Sequence, residues 1–289
     1  LPLIYVEHLF EKTVRINCTE DQKENKMSQL STYFPLKNKV ALITGAARGI
    51  ALQIACALSA AGARLAILDV LEREGRVIAG LLDNGQAQAK FWQLDVSDFR
   101  AVPEVVDAVE AHFGRIDILV NSAGVDADNP SARGLPLRHW ERAMQLNVHG
   151  SILCSKHVLA AMERAGGGSI VNVLSLCNMD DERQDAADHA AKTALRMANL
   201  NAMKYAARNV RVNSIHPSLV RPPALALAMR ERGDLPQALS DRAELQMLGN
   251  SGSATDVAAA ILYLVSDASR FVSGNELVID AGYGRHHVG

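Results

Sequence analysis

Aromatic side chains are scarce in this chain, at 4% of positions, and neither charge sign dominates: 30 Lys and Arg stand against 32 Asp and Glu. A near-neutral balance without a basic cluster leaves no electrostatic footprint for nucleic acid, and the lack of an acidic tail leaves no solvating segment. No apolar run reaches the roughly 18 residues that a membrane helix needs. Cysteine is also rare. Cys18, Cys56, Cys154 and Cys177 stand at irregular separations, with no Cys-x-x-Cys pair. Neither a metal site nor a disulfide framework is spelled out, so the expectation is free thiols in a reducing compartment and no metal ligands. These absences point to a cytoplasmic protein that works on a small molecule, with neither nucleic acid nor membrane as partner.

What is present is apolar: 48% of the 289 residues are hydrophobic, enough to fill the core of one α/β domain. Residues 1–35 read as a leader, poorly ordered or adventitious. The first 26 residues carry charges throughout and lack the basic-then-apolar order of a signal peptide, and Met27-Ser28 reads as a more natural start. From residue 36 to 289 strand-length apolar runs alternate with helical patterns. The runs are 39–44, 64–69, 91–95, 116–121, 169–175, 210–215 and 276–280. They are rich in Val, Ile and Leu with polar residues at their ends, which suits strands buried on both faces. Strand–helix alternation of this length implies right-handed crossovers and a parallel sheet. The predicted fold is a single α/β domain with a doubly wound parallel sheet. Residues 222–250 break the rhythm and read as a lid over the substrate pocket, where Met229 and Met247 could offer adaptable apolar surface.

Directly after the first run comes Thr-Gly-Ala-Ala-Arg-Gly-Ile-Ala, residues 44–51. Gly45 permits a tight turn, and Gly49 lets the backbone approach a pyrophosphate. The helix opening at Ile50 then offers free N–H groups and a positive dipole end. Ala51 stands where such turns usually carry a third glycine. The second strand ends at Asp69, a carboxylate suited to ribose hydroxyls and repulsive to a 2′-phosphate. This favours NAD(H), while Arg48 in the turn leaves NADP(H) open.

Further motifs follow in order. Leu-Asp-Val at 94–96 carries Asp95 and Val96. Asn-Ser-Ala-Gly at 121–124 carries Asn121, Ala123 and Gly124. Asn147 lies in Gln-Leu-Asn-Val-His-Gly, and Ser175 ends the run Ser-Ile-Val-Asn-Val-Leu-Ser. Residues 211–218 read Arg-Val-Asn-Ser-Ile-His-Pro-Ser, and 273–284 read Ser-Gly-Asn-Glu-Leu-Val-Ile-Asp-Ala-Gly-Tyr-Gly. From Leu36 to Gly284 the chain resembles the short-chain dehydrogenase/reductase family, with Ser218 and Ala281 in place of family glycines. The resemblance implies a Rossmann-type fold and a homodimer or homotetramer. It implies a nicotinamide dinucleotide held by Gly45, Arg48, Gly49, Ile50, Asp69, Asp95, Val96, Asn121, Ala123, Gly124, Lys192, Pro217 and Val220. It also implies a catalytic group of Asn147, Ser175 and Lys192.

One member of that group departs from the pattern. The family's catalytic Tyr lies four residues before its Lys and thirteen after its Ser, and both counts fall on Asp188. His189, one step round the helix, faces elsewhere. A Tyr donates a proton to the oxygen of a carbonyl as hydride reaches carbon. A carboxylate beside a lysine should be ionised, which makes it a poor proton donor. It suits a cation instead, and an iminium carbon takes hydride with no proton at all. Three readings stay open: a reductase of an iminium or other non-standard electrophile, a nucleotide-binding scaffold without redox chemistry, and carbonyl chemistry through another donor. The Asp-for-Tyr exchange is similar to that of fungal short-chain relatives acting as combined iminium reductases and Diels–Alder cyclases. Asp180, Asp181, Glu182, Arg183 and Asp185 read as a solvated loop, and His286 and His287 as a solvated tail.

Overall fold

Every residue of the first strand, β1 (Val40–Thr44), is buried. Alternate positions serve opposite faces: Val40 and Leu42 join one core, Ala41 and Ile43 the other. A strand buried on both sides has to sit inside a sheet covered by two helical layers. The computed structural model describes residues 32–83, 88–124, 135–175, 186–218, 220–221 and 252–283.

In chain order β1 is followed by α1 (Gly49–Ala60), β2 (Arg64–Asp69), α2 (Glu72–Leu82), β3 (Ala89–Gln93), α3 (Ala101–Phe113) and β4 (Ile118–Asn121). Helix α4 (Leu137–Ala143) runs through a π-helical stretch, Met144–Gly150, into α5 (Ser151–Arg164). Then come β5 (Gly168–Val173), α6 (Ala186–Asn201), a 3₁₀ turn (Ala202–Arg208) and β6 (Val210–Pro217). The short parallel pair β7 (Val220–Arg221) and β8 (Gly252–Ser253) precedes α7 (Ala254–Val265) and β9 (Glu276–Ile279). Seven strands form one sheet in the order β3-β2-β1-β4-β5-β6-β9. All neighbouring pairs are parallel. The single doubly wound α/β domain read from the sequence is the observed one.

Helices α1 and α7 pack together over one face, bringing Ile54, Leu58, Val257 and Ile261 onto Ala41 and Ile43. Helices α3 and α5 cover the other, with Val102, Val106, Val158 and Met162 against Val40 and Leu42. Local signals set the helix ends. Gly114 closes α3 at φ +79°, with its N–H donating to Glu110 O. Ser253 and Asp256 form a reciprocal capping box at the start of α7.

Two expectations need correction. The third strand was read at 91–95 and lies at 89–93. It is the sheet edge, where buried Ala89 and Phe91 alternate with more exposed residues, so its core face leaves no continuous apolar run. The free-thiol expectation fails at Cys56, which is disulfide-bonded, with its partner outside the described residues. Irregular spacing along the chain says nothing about which cysteines meet in space. Cys154 is free and buried, and burial pushes its thiol up to about 12. The leader up to residue 31, the charged loop at 180–185, the lid at 222–250 with Met229 and Met247, and His286 and His287 lie outside the described residues. Among the described residues no helix is long and apolar enough to cross a membrane.

Ala281, which replaces a family glycine, adopts φ +51°. A side chain in the left-handed region costs roughly 1–2 kcal/mol, partly offset by the lower entropy of the unfolded alanine. Ala281→Gly should therefore raise stability by about 0.5–1 kcal/mol in urea unfolding. A lower midpoint at unchanged slope would show that the strain argument is wrong.

Candidate active site

Thr44, Asp69, Asn121 and His216 place buried polar side chains at or near the carboxyl ends of β1, β2, β4 and β6. In open α/β sheets, ligands bind outside these carboxyl ends. Gly45 leaves β1 at φ +70°, and a Cβ there would stand 2.8 Å from Ala123 Cα. Thr44 holds this close approach: its Oγ1 accepts the N–H groups of Ser122 at 3.1 Å and Ala123 at 3.0 Å. Gly49 has φ +63° and open space where a side chain would project. No side chain caps the N-terminus of α1 at Arg48, and Arg48 itself is exposed. Gly45, Arg48, Gly49 and Ile50 thus form one turn, with first-turn N–H groups available to an anion. A narrow glycine approach, an open face at Gly49 and an uncapped helix start fit a dinucleotide pyrophosphate.

Asp69 ends β2 only 7% exposed. Its Oδ2 accepts the Ala47 N–H at 2.9 Å, and its Oδ1 accepts the Leu71 N–H at 3.0 Å. The carboxylate therefore braces the phosphate turn, a duty the sequence did not announce. A carboxylate has about four acceptor sites, so two N–H bonds leave room for ribose hydroxyls. Asp95 Oδ1 accepts both the N–H and the hydroxyl of Ser97, at 2.9 and 2.6 Å. Val96 is buried against Gly150, where an added Cβ would lie 2.6 Å from its Cγ2.

Asn121 points away from the strand ends. Its Nδ2 donates to Asn172 Oδ1 at 2.7 Å, Ser155 Oγ at 3.0 Å and Ser151 O at 3.3 Å. The side chain stitches β4 to β5 and α5, and just beyond it Ala123 lies against Gly45 and Gly124 against Asn147. Pro217 is buried at the end of β6, opposite Ile279 of β9, while Val220 packs against the core shared by α1 and α7.

The structure brings Asn147, Asp188 and Lys192 into direct contact. Lys192 Nζ lies 2.7 Å from Asp188 Oδ2, with both side chains about one-fifth exposed. Asn147 Nδ2 donates to Asp188 Oδ1 at 3.0 Å. Asn147 sits in the π-helical stretch. Such an insertion shifts the helical register locally, and here the π segment presents Asn147 to α6. Gly124 is the floor beneath it, because a Cβ at that position would stand 2.9 Å from Asn147 Oδ1. Ser175 follows β5, half-buried. Sequence reading missed His216, buried at the end of β6. It shares a 2.9 Å hydrogen bond between Nε2 and Ser214 Oγ. Its position before Pro217 was the only available signal.

Two tests follow. Asp69→Ala removes the acceptor of the buried Ala47 N–H and should cost about 1–3 kcal/mol in denaturant unfolding. Burial, the largest influence, holds the His216 imidazole below its ordinary value of 6.5, with Glu276 and the Ser175 backbone opposing and Arg196 assisting. A depressed histidine contributes stability that is complete above 6.5 and lost as the pH falls through the folded value. The stability of His216→Asn should therefore depend less on pH below that point than the unsubstituted chain does. Parallel curves would show that His216 takes no proton on unfolding.

Residues 45–284 match a family model described as Enoyl-(Acyl carrier protein) reductase. The chain is 36% identical over 251 residues to trans-4-hydroxycyclohexanecarboxylate dehydrogenase of Sinomonas cyclohexanicum, covering 84% of this chain and 92% of that one. It is 37% identical over 251 residues to D-threitol dehydrogenase of Mycolicibacterium smegmatis, covering 86% and 94%. A solved structure of a putative short-chain alcohol dehydrogenase from Sinorhizobium meliloti 1021 superposes with a TM-score of 0.77 at 30% identity. That match covers 86% of this chain and 98% of that one. With fold, strand-end geometry and these relatives in agreement, the chain belongs to the short-chain dehydrogenase/reductase family of oxidoreductases.

Proposed function

We propose that this protein transfers hydride between a nicotinamide dinucleotide, NAD(H) in preference to NADP(H), and a small molecule whose reacting carbon needs no proton from a phenol. An iminium is the electrophile that fits best. The observation that carries this reading is Asp188, a carboxylate held by Lys192 at 2.7 Å and Asn147 at 3.0 Å where the family places a Tyr.

A bound nicotinamide would supply the hydride, and the protein's part is to hold and orient. Gly45, Gly49 and the start of α1 take the pyrophosphate. Asp69 takes the adenosine ribose hydroxyls and repels a 2′-phosphate, while Asp95 and Val96 border the adenine and Lys192 reaches the second ribose. Asp188 faces the substrate with negative charge and orients a cationic carbon–nitrogen double bond. Hydride adds to carbon, the π pair moves to nitrogen, and a neutral amine results with no proton transferred. Ser175 positions the substrate from the other side. The same placement of a cationic substrate would serve a coupled cyclisation of the kind carried out by the Asp-bearing fungal relatives.

A second reading draws on the relatives, whose names describe dehydrogenases of hydroxylated substrates. There Asp188 takes the hydroxyl proton while the carbon's hydride passes to the oxidised nicotinamide, forming a carbonyl. The two readings run the site in opposite directions, and neither asks Asp188 to donate a proton.

Titration with NADH and NADPH, then turnover on ketone, alcohol and iminium panels, separates them. Cofactor oxidation by an iminium but not a ketone supports the first reading, and cofactor reduction by alcohols alone supports the second. Tight binding without any turnover leaves a nucleotide-binding scaffold and removes both. Under the first reading Asp188→Asn should lower iminium turnover by about a hundredfold, the scale of losing one preorganised electrostatic contact. Asp188→Tyr should gain ketone reduction. A ketone reductase already present in the unsubstituted protein would remove the special role of Asp188.

A further inference from the structure

The face that the π-helical stretch and α5 turn toward β4 and β5 carries three polar side chains in succession, Asn147, Ser151 and Ser155, spaced four residues apart. Asn147 and Ser151 are buried. Each serine donates its hydroxyl to a carbonyl four residues back: Ser151 Oγ to Asn147 O at 3.0 Å, and Ser155 Oγ to Ser151 O at 2.7 Å. Asn121 fastens this row to the sheet. Its Nδ2 donates to Ser155 Oγ, to Ser151 O and to Asn172 Oδ1 of β5. At the other end Asn147 Nδ2 donates to Asp188 Oδ1 at 3.0 Å, and Asp188 Oδ2 accepts Lys192 Nζ at 2.7 Å. An unbroken series of hydrogen bonds therefore runs from β4 and β5 to the carboxylate at residue 188.

The link between Ser151 and Asn147 has a specific duty. In an α-helix the carbonyl of residue 147 would accept the N–H of residue 151, and a π turn moves that partnership one residue on. Here the Ser151 N–H donates to Val148 O, while the Ser151 hydroxyl bonds the Asn147 carbonyl. A side-chain rung stands where the α-helical backbone rung would be.

We propose that Ser151 is a positioning residue that acts through Asn147: its hydroxyl stabilises the π register, and that register aims the Asn147 side chain at Asp188. Ser155 and Asn121 hold the Ser151 carbonyl and anchor the lock to the sheet. This role presupposes Asp188 as the group that faces the substrate. Neither serine belongs to the motifs that carry the family resemblance.

The test uses the full-length chain, the substrate found by the panels above and NADH as binding probe. Ser151→Ala removes the hydroxyl and supplies a better helix former. Ser151→Thr keeps a hydroxyl able to bond the carbonyl four residues back. Displacement of a catalytic group by about an ångström can cost up to a hundredfold in rate. Ser151→Ala should therefore lower kcat by about tenfold with NADH Kd within about twofold, and Ser151→Thr should keep most of the native kcat. A double-mutant cycle with Asn147→Ala distinguishes this role from a merely structural one. If Ser151 acts through Asn147, adding Ser151→Ala to Asn147→Ala should leave kcat within about twofold of Asn147→Ala alone. Unaltered kcat in Ser151→Ala or in Asn147→Ala overturns the lock, as does a loss that multiplies in full in the double variant. If Ser151→Ala does not fold, Ser155→Ala takes its place in the cycle: a loss that vanishes on the Asn147→Ala background supports the lock, and unaltered kcat overturns it.

Asp188→Asn in the same assay separates the two levels. Unchanged kcat there removes the site reading. A lowered kcat there, with Ser151→Ala unaltered, removes the lock alone. Should the unsubstituted protein turn nothing over, the Asn147 side-chain amide resonances decide, identified as the pair missing from the spectrum of Asn147→Ala. Their movement in Ser151→Ala toward the values of a solvent-exposed asparagine supports the lock, and unmoved resonances overturn it.

Discussion

The central strands of the sheet have water on neither face, and most of what is particular to this molecule follows from that constraint. A buried peptide group needs a partner, and the parallel ladder provides one along each strand. A polar side chain in the same place has no such provision and must leave the sheet or find a dedicated contact. Thr44, Asp69, Asn121 and His216 all stand at or near strand ends, all are buried, and all have named hydrogen-bond partners. The groups that can touch a ligand rest on these. Gly45 stays close to Ala123 because of Thr44, the turn after β1 keeps its shape because of Asp69, and the residue before Ser175 is tied to β6 by the Leu174 N–H, which donates to Ile215 O.

Electrostatics at the centre of the site is local and nearly balanced. Asp188 is matched by one lysine at contact distance and by one amide donor on its other oxygen. An isolated charge so placed would pay heavily for its lost hydration, whereas a paired and hydrogen-bonded carboxylate pays far less. This explains how a carboxylate can stand at residue 188, about one-fifth exposed, between Lys192 and Asn147. Both carboxylate oxygens of Asp188 are engaged in this way, Oδ2 by Lys192 and Oδ1 by Asn147.

The fold was legible because its strands are apolar over their whole length and its turns carry glycines. The edge strand β3 was placed two residues late because half of its positions face outward and its apolar run is broken. The pairing of Asp188 with Lys192 could be read from helical periodicity alone. The contact of Asn147 with that pair could not, since a π-helical stretch shifts the register and no local sequence rule announces it. The side-chain bonds of Asn121 to Asn172, Ser155 and Ser151 were not legible either, because they join β4 to β5 and α5. The Arg196–Glu276 pair joins segments far apart in the chain. Nothing in the composition of either segment signals the other. The disulfide at Cys56 was likewise invisible to spacing.

Thr44 has a consequence that reaches beyond its three hydrogen bonds. A single hydroxyl oxygen fastens the turn after β1 to the loop after β4, so the surfaces for the two halves of a dinucleotide are already joined before any ligand arrives. Ordering loops during association ordinarily subtracts from affinity. Here that expense falls on folding, and the arriving molecule meets two platforms already set at a fixed separation. A ligand spanning the two turns would meet a separation set by the Thr44 hydroxyl.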